Sequence, residues 1–403
     1  MMSFVSRHRR FFAFYFIVAF LALVAWIAVM QYTRPIPEVT LEESSSITWT
    51  PPGAAEISWP ELGQAVIAVD GIGVIGESPN QEPHPIASLT KVMTAYLILK
   101  DHPLNPGEPG PAIEFQEHHV QNYLARRANS ESVVPVSVGN PMTQRELLRG
   151  LLLASGNNLA DVLAEWQSGS VEAFVAQMNA EARALGMTNT TYADAAGVVA
   201  GSVSTAHDQI LLAQVAMANP TFASMVREAE ATLPGAGVVY NTNSVLGSGG
   251  IIGIKTGWTE EAGACFLFAA EWQVEGQTRI IIGAVLGQTT LADAFDRSRE
   301  LILVGGVSMS VVRLASAGDK LGEIRSEWGA TTDAVLSDDV SMVLVPGIEI
   351  EADLKLSTTE DVEPGSEIGS VQFSAGEQVV EVPLRAVSAV ESPDLVWRLT
   401  RLP

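Results

Sequence analysis

Cysteine and positive charge are both scarce in this 403-residue chain. The one cysteine, Cys265, excludes an intramolecular disulfide, and its apolar neighbours in the sequence favour a small buried hydrophobic residue over a nucleophile. Lys and Arg number 23 against 46 Asp and Glu, which gives a formal net charge of -23. Because nucleic acid binding depends on basic side chains that neutralise phosphates, a nucleic acid partner is excluded.

Charged residues of both signs make up only 17% of the chain, while hydrophobic residues reach 47%. This hydrophobic content excludes general disorder, because disordered chains bury too little apolar surface to offset the entropy of folding. A chain of 403 residues is also too long for one small core, so two folded parts with appendages are expected.

The N-terminus carries a long apolar run. Arg7, Arg9 and Arg10 precede an uncharged stretch from Phe11 to Met30. Twenty helical residues at about 1.5 Å each span roughly 30 Å, the thickness of a bilayer's hydrocarbon core. No small-residue cleavage site follows the run. We therefore expect a transmembrane signal anchor at 11–30, with the basic segment 1–10 in the cytoplasm and the rest outside the cell membrane.

Beyond this helix the sequence divides into three regions. Residues 31–62 are rich in Pro, Glu and Ser and predict a linker. Residues 63–306 carry helical periodicities and then strand-like apolar runs in separate blocks, which is typical of an α+β layer structure. Residues 312–403 include period-2 alternation, as at 348–356, and predict a small all-β C-terminal domain.

The first motif with a chemical interpretation is Ser88-Leu89-Thr90-Lys91, where a loop enters a helical stretch. Residues three apart on a helix share a face, so the Ser88 hydroxyl and the Lys91 amine could form a hydrogen bond. A serine needs a base to become a strong nucleophile, and a lysine is a base only when burial or a nearby cation lowers its pKa. Taken alone, these residues also fit an N-cap serine beside a surface lysine.

The second motif, Ser155-Gly156-Asn157, follows an apolar helical stretch and predicts an exposed tight loop. Its serine could relay a proton to a leaving group, and Asn157 could donate a hydrogen bond to a substrate amide. An ordinary polar turn would use the same residues.

The third motif, Lys255-Thr256-Gly257, lies in a strand-like segment before Trp258. Lys255 would be the second cation that lowers the pKa of Lys91, and Thr256 would provide an anchoring hydroxyl. Gly257 would leave room for a substrate along the strand edge. An ordinary strand end is the alternative, but all three motifs in this order are an improbable accident.

With these motifs the chain resembles the low-molecular-mass penicillin-binding proteins, which are serine-type D-Ala-D-Ala carboxypeptidases. The likeness extends around each motif, through 86–95, 147–157 and 253–259, and runs from about residue 63 to residue 304. It implies a penicilloyl-serine-transferase fold, in which a five-stranded antiparallel sheet packs against helices and the site lies at the sheet edge.

The resemblance also implies a role for each motif residue. Ser88 would form the acyl-enzyme, Lys91 would accept its proton, and Ser155 would take part in catalysis. The backbone N–H groups of Ser88 and Trp258 would form the oxyanion hole. The residues expected to bind the substrate are Asn157, Lys255, Thr256, Gly257 and Trp258.

The implied partners are the peptidoglycan stem pentapeptides, which lose their terminal D-Ala, and β-lactam antibiotics, which acylate the same serine. No metal and no organic cofactor are implied. Family members usually attach to the membrane by a C-terminal amphipathic helix, whereas this chain carries its apolar helix at the N-terminus. Many also hold the substrate's carboxylate with an arginine at the position of Ala294, and Arg297, one helical turn away, is the candidate replacement.

Other functions that use the same motifs are a D,D-endopeptidase, which cuts peptidoglycan cross-links, and a catalytically inactive sensor of wall peptides. A class A β-lactamase needs a Glu-x-x-Leu-Asn motif after Asn157, and the sequence has none. His118 and His119 suggest a metal pair, but adjacent residues on a helix or strand point apart, so a solvated loop is predicted instead.

Overall fold

The computed structural model describes residues 2–37, 40–41, 47–53, 56–356 and 362–401. Within these residues the α-helices are α1 (Met2–Tyr32), α2 (Thr90–Asp101), α3 (Glu117–Ala128), α4 (Gln144–Leu152), α5 (Asn157–Ser168), α6 (Val171–Ala184), α7 (Ala206–Met217), α8 (Pro220–Val226), α9 (Leu291–Ser308) and α10 (Leu395–Thr400).

The β-strands follow in the same order along the chain. They are β1 (Thr40–Leu41), β2 (Ile47–Trp49), β3 (Gln64–Val69), β4 (Gly73–Glu77), β5 (His84–Pro85), β6 (Ala112–Ile113), β7 (Met142–Thr143), β8 (Val203–Ser204), β9 (Glu230–Leu233), β10 (Gly237–Tyr240), β11 (Ile251–Thr259), β12 (Gly263–Val274), β13 (Gln277–Gln288), β14 (Ser310–Ala315), β15 (Lys320–Arg325), β16 (Thr331–Leu336), β17 (Val340–Leu344), β18 (Ile350–Leu356), β19 (Glu367–Ala375) and β20 (Gln378–Ala386).

The chain forms two compact units. The larger unit comprises Pro51–Val311 and Val343–Ile348, and the smaller unit comprises Met1–Thr50, Val312–Met342 and Glu349–Pro403. The expected catalytic region, 63–306, lies within the larger unit. That unit also takes in residues 51–62 from the predicted linker and a short return segment from the predicted C-terminal domain.

The larger unit is built on a five-stranded antiparallel sheet in the order β11-β12-β13-β3-β4, as the resemblance implied. Alternate residues of each strand point to opposite faces. In β3, Val66 and Ala68 join one buried apolar cluster, while Ala65 and Ile67 join another on the opposite face. The sheet is therefore covered on both faces, which explains why its strands read as continuous apolar runs in the sequence.

Helices supply the cover on each side. Residues of α2, α4, α5 and α7 fill the first cluster, and residues of α9 fill the second. Several of these helices begin at a side-chain cap encoded by the sequence, as at Thr143 before α4 and Thr290 before α9, where each hydroxyl accepts a hydrogen bond from the third residue on. Strand β11, at the edge of the sheet, borders the helical layer that contains α2.

The smaller unit contains a seven-stranded sheet in the order β1-β15-β16-β20-β19-β18-β2. Its two edge strands, β1 and β2, come from segment 31–62, so this segment is not only a linker. Thr48 and Trp49 suit a strand, and they pair with Glu351 and Ile350 of β18. The all-β expectation for the C-terminal part holds except for the six-residue helix α10. Linker residues 38–39, 42–46 and 54–55 lie outside the described residues.

Helix α1 contains the apolar run. Its segment Phe11–Tyr32 has 22 residues with a mean hydropathy of 2.6, and none of its most apolar window is buried. Among the described residues it is the one helix long and apolar enough to cross a membrane, which fits either a membrane anchor or a signal sequence.

Candidate active site

Ser88 and Lys91 lie at the start of a largely buried helix, α2. A 3-10 turn, Ala87–Leu89, leads into α2, and this arrangement brings the Lys91 Nζ within 2.8 Å of the Ser88 Oγ. Ala87 adopts a left-handed backbone conformation with φ +47°, which a non-glycine residue rarely does and which is common at functional sites. Ser88 is half-buried, whereas Lys91 is fully buried.

Lys91 is a buried amine that favours its neutral form. Burial holds the pKa of Lys91 well below its ordinary value, and the charges of Lys255 and Arg126 also lower it, against the opposing effect of Asp194 and Asp161. A neutral amine at hydrogen-bond distance can take a proton from a serine hydroxyl. The pair thus has the geometry and the electrostatics of a nucleophile and its base.

The edge strand β11 carries Lys255, Thr256 and Gly257, and it lies next to the 3-10 turn that carries Ser88. The Lys255 Nζ donates to the Thr256 carbonyl oxygen at 3.0 Å, and burial lowers the pKa of Lys255 to about 7. The Thr256 hydroxyl is 2.9 Å from that of Thr242. These side chains present hydroxyl and amine groups along one edge of the sheet.

Gly257 has no side chain, which allows β11 to lie close to the turn that carries Ser88. A Cβ at this position would stand 3.0 Å from the Ser88 nitrogen and 3.1 Å from the Ile86 oxygen. The turn that carries Ser88 thus occupies the space beside Gly257. The sequence analysis predicted that this space would hold a substrate, and the structure corrects that prediction. Trp258, the next residue, has 58% of its surface exposed.

Ser155, Gly156 and Asn157 connect α4 to α5. Ser155 and Asn157 are buried, contrary to the predicted exposed loop, because this connection lies inside the helical layer. Ser155 has a left-handed backbone with φ +58°. The Asn157 Nδ2 donates to the Glu131 Oε2 at 2.8 Å, and its Oδ1 is buried with no hydrogen-bond partner. In this arrangement Glu131 engages one of the two Nδ2 hydrogens of Asn157, and its Oδ1 is a buried acceptor.

The family assignment rests on comparison with known proteins. A profile of the D-alanyl-D-alanine carboxypeptidase family, peptidase S11, matches residues 63–290, more than half of the chain. The chain belongs to this family. The matched segment contains every residue of the three motifs.

Two relatives and one solved structure illustrate the likeness. The D-alanyl-D-alanine carboxypeptidase DacB2 of Mycobacterium tuberculosis is 34% identical to this chain, and the match covers 55% of this chain and 73% of the length of DacB2. A D-alanyl-D-alanine endopeptidase of Pseudomonas aeruginosa is 29% identical over 67% of this chain and 87% of its own. The crystal structure of the Streptomyces K15 DD-transpeptidase superposes with a TM-score of 0.55 at 28% identity, over 62% of this chain and 99% of its own.

The candidate carboxylate-binding position, Ala294, and its candidate replacement, Arg297, both lie on α9. Ala294 is fully buried in the cluster under α9, on the face of the sheet opposite α2. The Arg297 guanidinium donates to Glu300 at 2.7 Å, in an ion pair on the same helix. Arg297 thus has its ion-pair partner on its own helix, which packs in the cluster on the face of the sheet opposite α2.

Residues that sequence reasoning missed complete the surroundings of the motifs. Glu131 accepts from both Asn157 and Arg126, and Arg126 also pairs with Asp161 at 2.7 Å. Asp194 is buried near Lys91. Of these residues, only Asp194 could have been found from the sequence. It begins the segment Asp194-Ala-Ala-Gly197, and an Asp ahead of a glycine favours a tight turn closed by the Asp side chain.

His118 and His119 were predicted to point apart in a solvated loop, and this is wrong. Both lie in the first turn of α3, and both Nε2 atoms approach the Glu165 Oε2, at 2.8 and 3.1 Å. The His119 Nδ1 accepts from the Gln116 backbone N–H, which leaves the ring proton on Nε2, where it donates to Glu165. As arranged, the cluster therefore joins α3 to α5 through hydrogen bonds and does not present His119 Nε2 as a metal ligand.

Cys265 is fully buried in β12, and burial raises the pKa of its thiol to about 12. A thiol that stays protonated is a poor nucleophile, which agrees with the sequence interpretation of a small core residue.

Proposed function

We propose that this chain removes the terminal D-Ala from peptidoglycan stem pentapeptides through an acyl-serine intermediate. The observation that carries the proposal is the 2.8 Å separation between the Ser88 Oγ and the Nζ of a fully buried lysine, Lys91. Membership of the carboxypeptidase family supports the substrate class.

In the acylation step Lys91 takes the proton of the Ser88 hydroxyl, and the Ser88 Oγ attacks the carbonyl carbon of the penultimate D-Ala. The backbone N–H groups of Ser88 and Trp258 stabilise the oxyanion. The C–N bond then breaks, and the leaving D-Ala amine takes a proton relayed from Lys91 through Ser155. Asn157, Lys255 and Thr256 line the groove in which the peptide lies.

Water completes the cycle. Lys91, neutral again, takes a proton from a water molecule, whose oxygen attacks the acyl carbonyl, and the Ser88–acyl bond breaks to return the hydroxyl. A β-lactam enters by the same acylation step. Its ring amide opens on Ser88 and the leaving nitrogen stays attached to the adduct, which makes labelled penicillin a direct probe of Ser88.

The direct test is product analysis on a pentapeptide-bearing muropeptide, with Ser88→Ala and Lys91→Arg beside the wild type. Loss of one D-Ala is expected from the wild type alone, since arginine keeps its proton at neutral pH and cannot act as a base. Lys100→Arg, on the exposed end of the same helix, is the matched control and should keep activity. Penicillin adduct formation on a residue other than Ser88 in the wild type would overturn the assignment.

Cleavage of peptidoglycan cross-links is a second candidate activity. It is favoured by the position of Arg297, which pairs with Glu300 and leaves the terminal carboxylate of a pentapeptide without the expected arginine. The Pseudomonas aeruginosa endopeptidase relative supports it as well. Conversion of muropeptide dimers to monomers, with pentapeptide monomers left intact, would assign this activity in place of the first.

We further propose that α1 anchors the protein in the cell membrane, with the larger unit and the rest of the chain after α1 outside. The apolar segment Phe11–Tyr32 is long enough to span a bilayer, and the Arg residues that precede it favour the cytoplasmic side.

A further inference from the structure

The segment from Asp194 to Ser202 is a loop closed on one buried carboxylate. Asp194 is only 9% exposed. Its Oδ1 accepts from the Gly197 backbone at 2.9 Å and from the Ser202 hydroxyl at 2.7 Å, and its Oδ2 accepts from the Val198 backbone at 2.8 Å. A carboxylate that receives this many donors fixes the course of the backbone around it.

The loop turns two of its carbonyl oxygens toward helix α2. The Ala195 oxygen accepts from the Thr94 hydroxyl at 2.7 Å, and the Ala196 oxygen accepts from the Lys91 Nζ at 2.8 Å. Gly197 has φ +77°, and a Cβ there would lie 1.8 Å from the Ala87 oxygen. The loop is thus pressed directly against the turn that carries the nucleophile.

The hydrogen bond to Ala196 decides which way the Lys91 amine faces. A neutral amine has two N–H bonds and one lone pair. When one N–H points at the Ala196 oxygen, the lone pair can point at the Ser88 hydroxyl, 2.8 Å away. Without that acceptor the long lysine side chain would lose a contact that restrains its rotation.

We propose that Asp194 is a positioning residue for catalysis, which holds the Ala196 carbonyl in place so that Lys91 presents its lone pair to Ser88. This inference rests on the proposed role of Lys91 as the base. Asp194 itself touches neither the substrate nor the reacting atoms.

The charge of Asp194 gives the role a second signature. Asp194 and Asp161 raise the pKa of Lys91, in opposition to burial, Lys255 and Arg126. Removal of the Asp194 charge therefore lowers the pKa of Lys91 further, so that the lysine stays neutral to more acidic pH. The acid limb of the acylation rate should then move to lower pH, although a misplaced amine lowers the rate on the plateau.

The test measures second-order acylation by labelled penicillin against pH in the full chain, for Asp194→Asn and Asp194→Ala. We expect the plateau to fall by about tenfold or more, since small misplacements of a catalytic group are costly, together with the shift of the acid limb. Asp208→Asn is the matched control, because Asp208 is also buried and accepts hydrogen bonds from Asn189 and Thr190. It should lower Tm without moving the limb.

Two outcomes would overturn the proposal. The first is a folded Asp194→Asn protein whose acylation rate on the plateau and whose acid limb both match those of the wild type. The second is a lower plateau rate with an unmoved acid limb, which would mean that Asp194 has a structural role alone. Where Asp194→Ala does not fold, Ser202→Ala replaces it, since that change removes one donor to the carboxylate and should lower the plateau less than Asp194→Asn. If Lys91→Arg abolishes acylation while these variants behave as wild type, the proposed function stands and this inference fails.

Discussion

At the scale of single residues, burial has a larger effect than charge on the pKa of Lys91, the proposed base. Burial is the first cause of the lowered pKa of Lys91, and the charge of Lys255 comes second. Lys255 is itself buried, with a pKa of about 7, so near neutral pH only part of its population carries the charge that acts on Lys91. The influence of Lys255 on the base is therefore real but secondary.

Substitution of Lys255 should separate the two effects. In Lys255→Met a cation that lowers the pKa of Lys91 is lost, so the acid limb of kcat/KM should move to higher pH. In Lys255→Arg the charge is permanent, and the limb should move to lower pH than in the wild type. The pH dependence of acylation by labelled penicillin measures both. Coincident limbs in all three proteins would mean that burial alone sets the pKa.

The spacing of Ser88 and Lys91 predicted one contact that the structure shows, but the orientation of the Asn157 side chain was beyond the sequence. The pairing of Ser88 with Lys91 follows from helical spacing, which is a local property. The orientation of the Asn157 amide depends on Glu131, which lies 26 positions earlier in the chain. Such a contact is set by tertiary packing, so a pattern confined to three residues could not reveal it.

At the scale of elements, the described motifs come from a helix start, a connection between two helices and a sheet edge. The helical stretch from Ser88 was predicted from its apolar periodicity, and the structure has α2 there. Strands β1 and β2 were missed because each has only two or three residues. Their pairing partners lie hundreds of residues away, where a local pattern carries no information.

Because β11 lies close to the turn that carries Ser88, Gly257→Ala should lower the acylation rate and leave the stability of the protein nearly unchanged. The added methyl would stand 3.0–3.1 Å from Ser88, Ile86 and Leu89 atoms, so the neighbours need to move by only a few tenths of an ångström. We expect a nearly unchanged Tm and an acylation rate lower by about 10²-fold, because the proposed oxyanion hole uses backbone N–H groups of these two elements.

Gly283→Ala is the contrasting variant for this prediction. Its methyl would stand 2.1 Å from the Phe268 ring in the core of the sheet, so a fall in Tm is expected, since overpacking a core typically costs about 1–3 kcal/mol. Thermal melts and penicillin labelling of both proteins check the pair. Full acylation by Gly257→Ala would mean that the contact between strand and turn has no catalytic role.

At the scale of the whole molecule, each unit is assembled from separated segments. The larger unit recruits Val343–Ile348 from the C-terminal part, and its Val343 and Val345 are buried in the cluster that contains α9. A sequence scan that places one boundary near residue 312 cannot foresee this return, because the segment resembles the strands on either side of it.

The C-terminal part is strongly acidic, with 17 Asp and Glu against 7 Lys and Arg from Val312 onward. Anionic lipid headgroups repel such a surface, so electrostatic attraction would not hold it to the membrane. Its role as a pedestal or a docking surface for a partner stays a prediction. The proposed attachment to the membrane would then depend on α1.

Deletion of residues 1–34 should therefore release the protein from membranes without loss of acylation. The apolar segment is removed, while β1 and β2 stay in the chain to complete the seven-stranded sheet, and every residue of the three motifs lies in the larger unit.

Deletion of residues 1–50 removes the two edge strands as well, and should lower Tm and promote association through the bared sheet edges while Ser88 still reacts with penicillin. Membrane fractionation, melting curves and labelling of the two shortened chains beside the full chain separate these effects. Retention of the shorter chains in the membrane fraction would place a second anchor elsewhere in the protein, and loss of labelling in a folded 1–34 deletion would mean that the N-terminal segment acts on the active site.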